Sequence, residues 1–290
     1  VRTVEEALAL FGPPVFVRHE IVHNAHVVGR LRAMGAVFVE DLAEVEPGRP
    51  VIFSAHGAPR SAYEEAGARA LMAIDATCPL VLKVHNEVRR SVAQHRHVLL
   101  IGHRGHPEIE GTLGQAPHGA ITVLETLAEA EAINPPEGPL GYATQTTLSV
   151  DDAAAIIACL KRRFPEIAGP RKSDICYATQ NRQEAVKLIA PGCDVVLVVG
   201  SPQSSNSKRL VECAITAGAA AAYLVDDPAS FDLSILDAAR VIGITSGASA
   251  PEHLVEDLMS HIAERAPIVV ETVEQVREDV VFKQPMLMAV

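Results

Sequence analysis

Tryptophan is absent from this chain of 290 residues, and aromatic residues make up only 4% of it. Surfaces on which nucleobases stack are built from aromatic faces, so they are not expected here. Positive charge is also scarce: 25 Lys and Arg stand against 36 Asp and Glu, a formal net charge of −11. Neutralising a phosphate backbone needs a basic face, and this balance argues against a nucleic-acid partner. The local basic groups Lys161-Arg162-Arg163 and Arg171-Lys172 read as solvated surface. Cysteine is limited to five residues, an odd number at irregular spacing. That is a poor disulfide framework and suits a reducing, cytoplasmic setting. No apolar run approaches the roughly 20 residues of a membrane span. No signal peptide is evident, so no membrane partner is expected.

The remaining composition describes an ordinary folded protein, 48% hydrophobic and 21% charged, long enough for two or three small domains. Short apolar strand patterns alternate with helical patterns throughout, which predicts an α/β fold with largely parallel sheets. The residues just past each strand carry the information. Val15–Arg18 leads to His19 and His23, and Val51–Ser54 to His56. Val98–Gly102 leads to His103, His106 and Glu108, and Leu140–Ala143 to Gln145 and Thr146. Val195–Gly200 leads to Ser204-Ser205-Asn206-Ser207, and Val241–Thr245 to Ser249. Open α/β sheets bind ligands at the carboxyl ends of their strands. The recurrence predicts several sheets facing one central cavity.

Two cysteines stand apart. Asp75-Ala76-Thr77-Cys78-Pro79 and Ser173-Asp174-Ile175-Cys176-Tyr177 each place an acidic residue shortly before a cysteine, and each cysteine precedes an amphipathic helix. A helix N-terminus favours the thiolate, the form that soft metals and iron–sulfur clusters take. The bland alternative is two small buried apolar side chains. Cys159, Cys193 and Cys213 open no helix and read as structural. The cysteine spacing, about one small α/β unit, suggests units at 1–77, 78–175 and 176–265, with a tail over 266–290 in which Ile268-Val269-Val270 reads as one more strand. Val1–Gly12 reads as a helix already under way. It places the natural start upstream, together with an opening strand and a first cysteine for the first unit.

Ser204–Ser207, before a helix expected near Lys208, and Ser249, before Pro251, combine hydroxyls and amides with free helix-start N–H groups, an anion site. Capping is the alternative reading of each. His23, His56 and His106 are candidates for a phosphate or a metal, whereas His85, His95, His97, His118, His253 and His261 read as surface positions. Glu108, behind Pro107, is a candidate proton donor, and Thr146 could orient a hydroxyl or water.

Taken together, the runs Val17–Asn24, Phe53–Gly57, Asp75–Val81, Gly102–Thr112, Thr144–Ser149, Asp174–Gln183 and Ser204–Ser207 resemble the 4-hydroxy-3-methylbut-2-enyl diphosphate reductases, the IspH/LytB family. That family catalyses the last step of the non-mevalonate isoprenoid pathway. The resemblance implies three α/β units around a pseudo-threefold axis, with a [4Fe–4S] cluster held by three cysteines. Cys78 and Cys176 match the second and third. The first belongs to a Pro-Arg-Gly-Phe-Cys-Ala-Gly segment expected upstream of Val1. The resemblance also implies that His23, His56, His106, Ser204, Ser205, Asn206 and Ser249 contact the diphosphate, that Glu108 delivers protons, and that Thr146 meets the substrate hydroxyl. It implies an allylic diphosphate substrate and a ferredoxin or flavodoxin as electron donor. Two other classes remain open: a zinc-dependent hydrolase using Cys78, Cys176 and a histidine, and a diphosphate-binding protein without a cluster.

Overall fold

The computed structural model describes residues 1–280, 282 and 285. The chain begins with α1 (Arg2–Phe11), β1 (Val15–Arg18), α2 (Ala25–Ala33), β2 (Ala36–Val39), β3 (Pro50–Phe53), α3 (Arg60–Ala68) and β4 (Met72–Asp75). It continues through α4 (Pro79–Ala93), β5 (His97–Ile101), α5 (Pro107–Leu113), β6 (Ile121–Leu124), α6 (Leu127–Ala132), β7 (Leu140–Thr144) and α7 (Val150–Arg163). The last part holds α8 (Tyr177–Ile189), β8 (Val195–Val199), α9 (Ser205–Thr216), β9 (Ala221–Val225), β10 (Ile242–Ser246) and α10 (Glu252–Arg265).

Three sheets result, ordered β2-β1-β3-β4, β6-β5-β7 and β10-β8-β9, and every strand pair in them is parallel. This is the expected α/β class with parallel sheets. In each sheet the first strand of the set lies between the next two, so all three share one winding. The innermost strands are unbroken apolar runs. Val195–Val199 is buried at every position, and in His97–Ile101 only the first residue is partly exposed. Strands covered by helices on both faces require such runs. Each Val or Leu fully buried there contributes about 1.5–3 kcal/mol.

The helices show why their sequences are amphipathic. In α4 the buried residues are Val81, Val84, His85 and Val88, a spacing of three, four and seven that lines one helical face. His85 is therefore not a surface residue: it is 3% exposed. Its ring fills the space left by Gly57, where a Cβ would approach Cε1 to 2.6 Å. Among the described residues the first sheet has four strands. The tail strand is absent. Residues 267–280 adopt no regular structure, and Val269 is 99% exposed. Three apolar residues in a row form a strand only where a sheet edge receives them, and none does. The tail lies instead against α8, where Glu278 Oε1 accepts from Asn181 Nδ2 at 3.1 Å and Phe282 faces Tyr177 at 6.4 Å between ring centroids. Among the described residues no helix is long and apolar enough to cross a membrane.

Candidate active site

Strand order reverses beside β1, β5 and β8. Loops leaving the two strands on either side of such a reversal turn to opposite faces and open a crevice at the carboxyl edge. Those two strands are direct neighbours in each sheet. β1 and β3 lead to His23 and His56, β5 and β7 to His106–Glu108 and Thr146, and β8 and β10 to Ser204–Asn206 and Ser249. Every polar candidate thus comes from one of six equivalent strand ends.

The three histidines meet. The His23 and His56 rings stack with centroids 4.4 Å apart, and His106 stands edge-on to both at 5.8 Å. Burial pushes His56 down to about 3, helped by the charges His23 and His106 would carry. Burial, then His23, His103 and Lys208, brings His106 down to about 4. His23 is lowered too, chiefly by burial, although the Glu20 carboxylate 3.5 Å from its Nδ1 pulls the other way. Desolvation penalises the charged ring, so the trio is neutral at pH 7. Neither ring nitrogen of His23 has a hydrogen-bond partner. His106 Nδ1 accepts from the Glu108 amide at 3.1 Å, which places the proton of the neutral ring on Nε2, available as a donor.

The third sheet supplies hydroxyls and an amide. α9 begins at Ser205 rather than near Lys208, because Ser204 is its N-cap and its Oγ accepts from the Ser207 amide at 3.3 Å. Pro251 is likewise the N-cap of α10. Capping accounts for Ser204 but not for its neighbours. Ser205 Oγ, both polar atoms of the Asn206 amide, and Ser207 Oγ are buried without a partner. Buried polar groups are almost always paired, since leaving one unpaired costs about 1–3 kcal/mol. Three of these four atoms, the two hydroxyls and Asn206 Nδ2, can donate, and donors in the first turn of a helix suit an anion, whereas Asn206 Oδ1 can only accept. Ser249 Oγ donates to the His23 carbonyl at 3.4 Å, joining this loop to the histidines.

Glu108 is 2% exposed. Its Oε1 accepts from the Thr146 amide at 2.7 Å and its Oε2 from Thr146 Oγ1 at 2.9 Å. These bonds favour the carboxylate, but burial outweighs them and, with Asp174 nearby, pushes the group up to about 7. It is neither a solvated loop residue nor a fully ionised one.

Cys78 and Cys176 are the N-caps of α4 and α8, and neither side chain makes a capping hydrogen bond. Burial raises the Cys78 thiol against the pull of the Leu80 and Val81 amides; Cys176 and Glu108 raise it further, so the sulfurs and the carboxyl feel one another. The backbone ties them to the site: Cys78 N donates to Ala55 O, beside His56, at 3.0 Å, and Cys176 N to Thr146 O at 2.9 Å. Lys83 on α4 reaches across to the loop before Cys176. It donates to the Lys172 and Ser173 carbonyls at 2.8 and 2.7 Å and to Asp174 Oδ1 at 3.0 Å. The helix opened by one cysteine is thereby bolted to the loop carrying the other. Cys159 lies in the core beneath the second sheet, and Cys193 and Cys213 pack against the core of the third. Among the described residues, no three His, Cys, Asp or Glu side chains are grouped to hold a metal ion.

The sequence model of the LytB protein family matches residues 1–263. The chain belongs to the LytB family. A 4-hydroxy-3-methylbut-2-enyl diphosphate reductase of Hyphomonas neptunium is 53% identical over 290 residues, covering 100% of this chain and 92% of that protein. One from Bordetella pertussis is 54% identical over 283 residues, 97% of this chain and 86% of that one. A solved E-1-hydroxy-2-methyl-but-2-enyl-4-diphosphate reductase of Plasmodium falciparum superposes with a TM-score of 0.94 at 39% identity, covering 98% of this chain and 90% of that one.

Three participants in this LytB site escape sequence reasoning. The Lys83–Asp174 tie joins residues from different units, and no local pattern announces it. Ser207 reads from the sequence only as part of its motif. Its Oγ occupies the space that Cβ atoms at Gly200 and Gly247 would enter, at 2.2 and 2.1 Å, so it holds the β8 and β10 loops together. His85 does carry a signal: its spacing within α4 puts it on the buried face.

Proposed function

We propose that this LytB protein is an oxidoreductase that removes the hydroxyl of (E)-4-hydroxy-3-methylbut-2-enyl diphosphate, giving isopentenyl and dimethylallyl diphosphate. Two electrons and two protons enter, a C–O bond breaks, a C–H bond forms, and water leaves. The buried carboxyl of Glu108, poised near neutrality between a cysteine pair and an anion pocket, is the observation that carries this reading.

The diphosphate is taken by the unpartnered donors at the start of α9, the hydroxyls of Ser205 and Ser207 and Asn206 Nδ2, with Ser204 and Ser249 at its edges and imidazole N–H donors from His23, His56 and His106. Holding that end fixes the approach of the reacting carbon. Cys78 and Cys176 suit an iron–sulfur cluster: both are uncommitted thiols at helix N-termini and within each other's field. When bound, a [4Fe–4S] cluster supplies single electrons and a Lewis-acidic iron. Neutralising the polar atoms of the pocket with an anion lowers the cost of their burial, so substrate completes what the protein leaves unpaired.

Thr146 dictates where the Glu108 proton resides. Its backbone N–H can only donate, so Oε1 stays an acceptor. In the acid form the proton therefore sits on Oε2, and the bond between Oε2 and Thr146 Oγ1, which Thr146 donates to the carboxylate, reverses so that the hydroxyl accepts. A hydroxyl both accepts and donates, so Thr146 can pass this proton on to a leaving hydroxyl. With the group at about 7, turnover should fall as pH rises above that value and the proton is lost.

Anaerobic reconstitution with iron and sulfide, followed by metal analysis and electron paramagnetic resonance, tests the cluster; a colourless protein with bound zinc would refute it. Glu108→Gln should bind pyrophosphate as the parent does and lose about 100-fold or more in turnover, the range of general acid catalysis. Unaltered turnover would remove Glu108 from the mechanism.

A further inference from the structure

The basic runs read from the sequence as solvated surface do not behave alike. Arg163 turns inward and donates from Nη2 to the Ile133 carbonyl at 2.7 Å. Lys161, Arg171 and Lys172 are exposed, and among the described residues their side chains have no carboxylate partner, although Asp and Glu outnumber Lys and Arg in the chain. They also share a place. A cleft of about 390 Å³ is lined in part by Tyr142, Lys161, Pro170, Ser173, Asp174 and Ile175. The Lys161 ammonium stands 5.9 Å from the Tyr142 ring centroid. Arg171 and Lys172 lie in the chain between the lining residues Pro170 and Ser173, and the residue after Ile175 is Cys176. This segment is held rigidly, because Lys83 grips the Lys172 and Ser173 carbonyls.

We propose that Lys161, Arg171 and Lys172 form the docking face for a small acidic electron-carrier protein, which delivers electrons beside Cys176. Three unpaired cations attract an acidic surface that the rest of this acidic protein repels, and complementary charge raises association rates more than it raises final affinity. The inference rests on the reductase reading. That reaction consumes two electrons, so two reduced one-electron carriers dock in turn; each leaves oxidised, while the substrate gains the electron pair and two protons and releases water. A face next to a cysteine that would hold the cluster shortens the electron's path.

The test uses cluster-reconstituted protein and, as probe, a strongly acidic plant-type [2Fe–2S] ferredoxin. The triple variant Lys161→Glu, Arg171→Glu, Lys172→Glu should bind ferredoxin at least tenfold more weakly at low salt. The difference should shrink at about 0.5 M salt, where charges more than a few ångströms apart are screened. Ferredoxin-driven turnover should fall in parallel, while turnover driven by reduced methyl viologen stays within twofold of the parent. Equal ferredoxin binding by parent and variant overturns the proposal, as does an equal loss with both donors, which would mean that the substitutions damage the site itself. If the reversed variant does not fold, the triple Gln variant carries the same comparison with a smaller loss. Binding is read without substrate. A parent that binds ferredoxin through this face yet reduces nothing would sink the reductase reading and leave the docking face standing.

Discussion

Anion binding at the histidine trio should draw a proton from solvent. His56 and His106 titrate at about 3 and about 4 in the free protein, so at pH 7 at most about one His106 ring in a thousand is charged. Bringing His106 to half-charged in the complex requires raising it by about three units, roughly 4 kcal/mol. One phosphate charge at 4 Å supplies about 4 kcal/mol at an effective dielectric of 20, and a diphosphate brings more than one. The next ring then faces a charged neighbour at 5.8 Å, a repulsion of about 3 kcal/mol on the same scale. The expected uptake is therefore about one proton, not two. Calorimetry of pyrophosphate binding at pH 7, in buffers of differing ionisation enthalpy, counts it. The same titration of the triple variant His23→Asn, His56→Asn, His106→Asn subtracts protons that belong to pyrophosphate itself. The parent should take up about one proton more than the variant and bind more tightly as pH falls from 8 to 6. Zero difference, with affinity flat in that interval, would mean that neutral imidazoles bind the anion and that this electrostatic argument is wrong.

Acid should also expose the trio's burial. A histidine lowered by folding contributes stability above its unfolded value that is lost as pH falls towards the folded one. Stability should therefore decline between about 6.5 and 4 in denaturant titrations, and less steeply in His56→Asn; an identical decline in both would exclude His56 as the cause. Gly57→Ala combines a left-handed backbone, φ +81, with a Cβ 2.6 Å from His85. It should cost about 1–3 kcal/mol in unfolding free energy, and a change below about 0.5 kcal/mol would refute the packing account. Cys176→Ser should abolish the cluster signal while leaving the fold intact. Cys159→Ser, in the core of the second unit, should lower stability by about 1–3 kcal/mol with the cluster signal unchanged; the opposite pattern would reverse their assignments.

Much of this site is legible in the chain because strand ends are local features. An apolar run followed by a polar residue marks a carboxyl edge wherever the strand lies, and His23, His56, His106, Glu108, Thr146, Ser204–Asn206 and Ser249 all carry that mark. Helical spacing likewise fixes the buried faces, including that of His85. What the sequence could not decide were quantities that depend on distant partners. Whether Ser205 and Asn206 cap a helix or await a ligand depends on which donors and acceptors surround them once folded. Whether Glu108 holds a proton at neutral pH depends on how much water the other units exclude from it. The Lys83–Asp174 bolt, the stacking of His23 on His56, and the exposure of Ile268–Val270 all belong to the same class. Local order determines what each strand end can offer, whereas desolvation and long-range pairing, which exist only after the three sheets are assembled, determine what those side chains do.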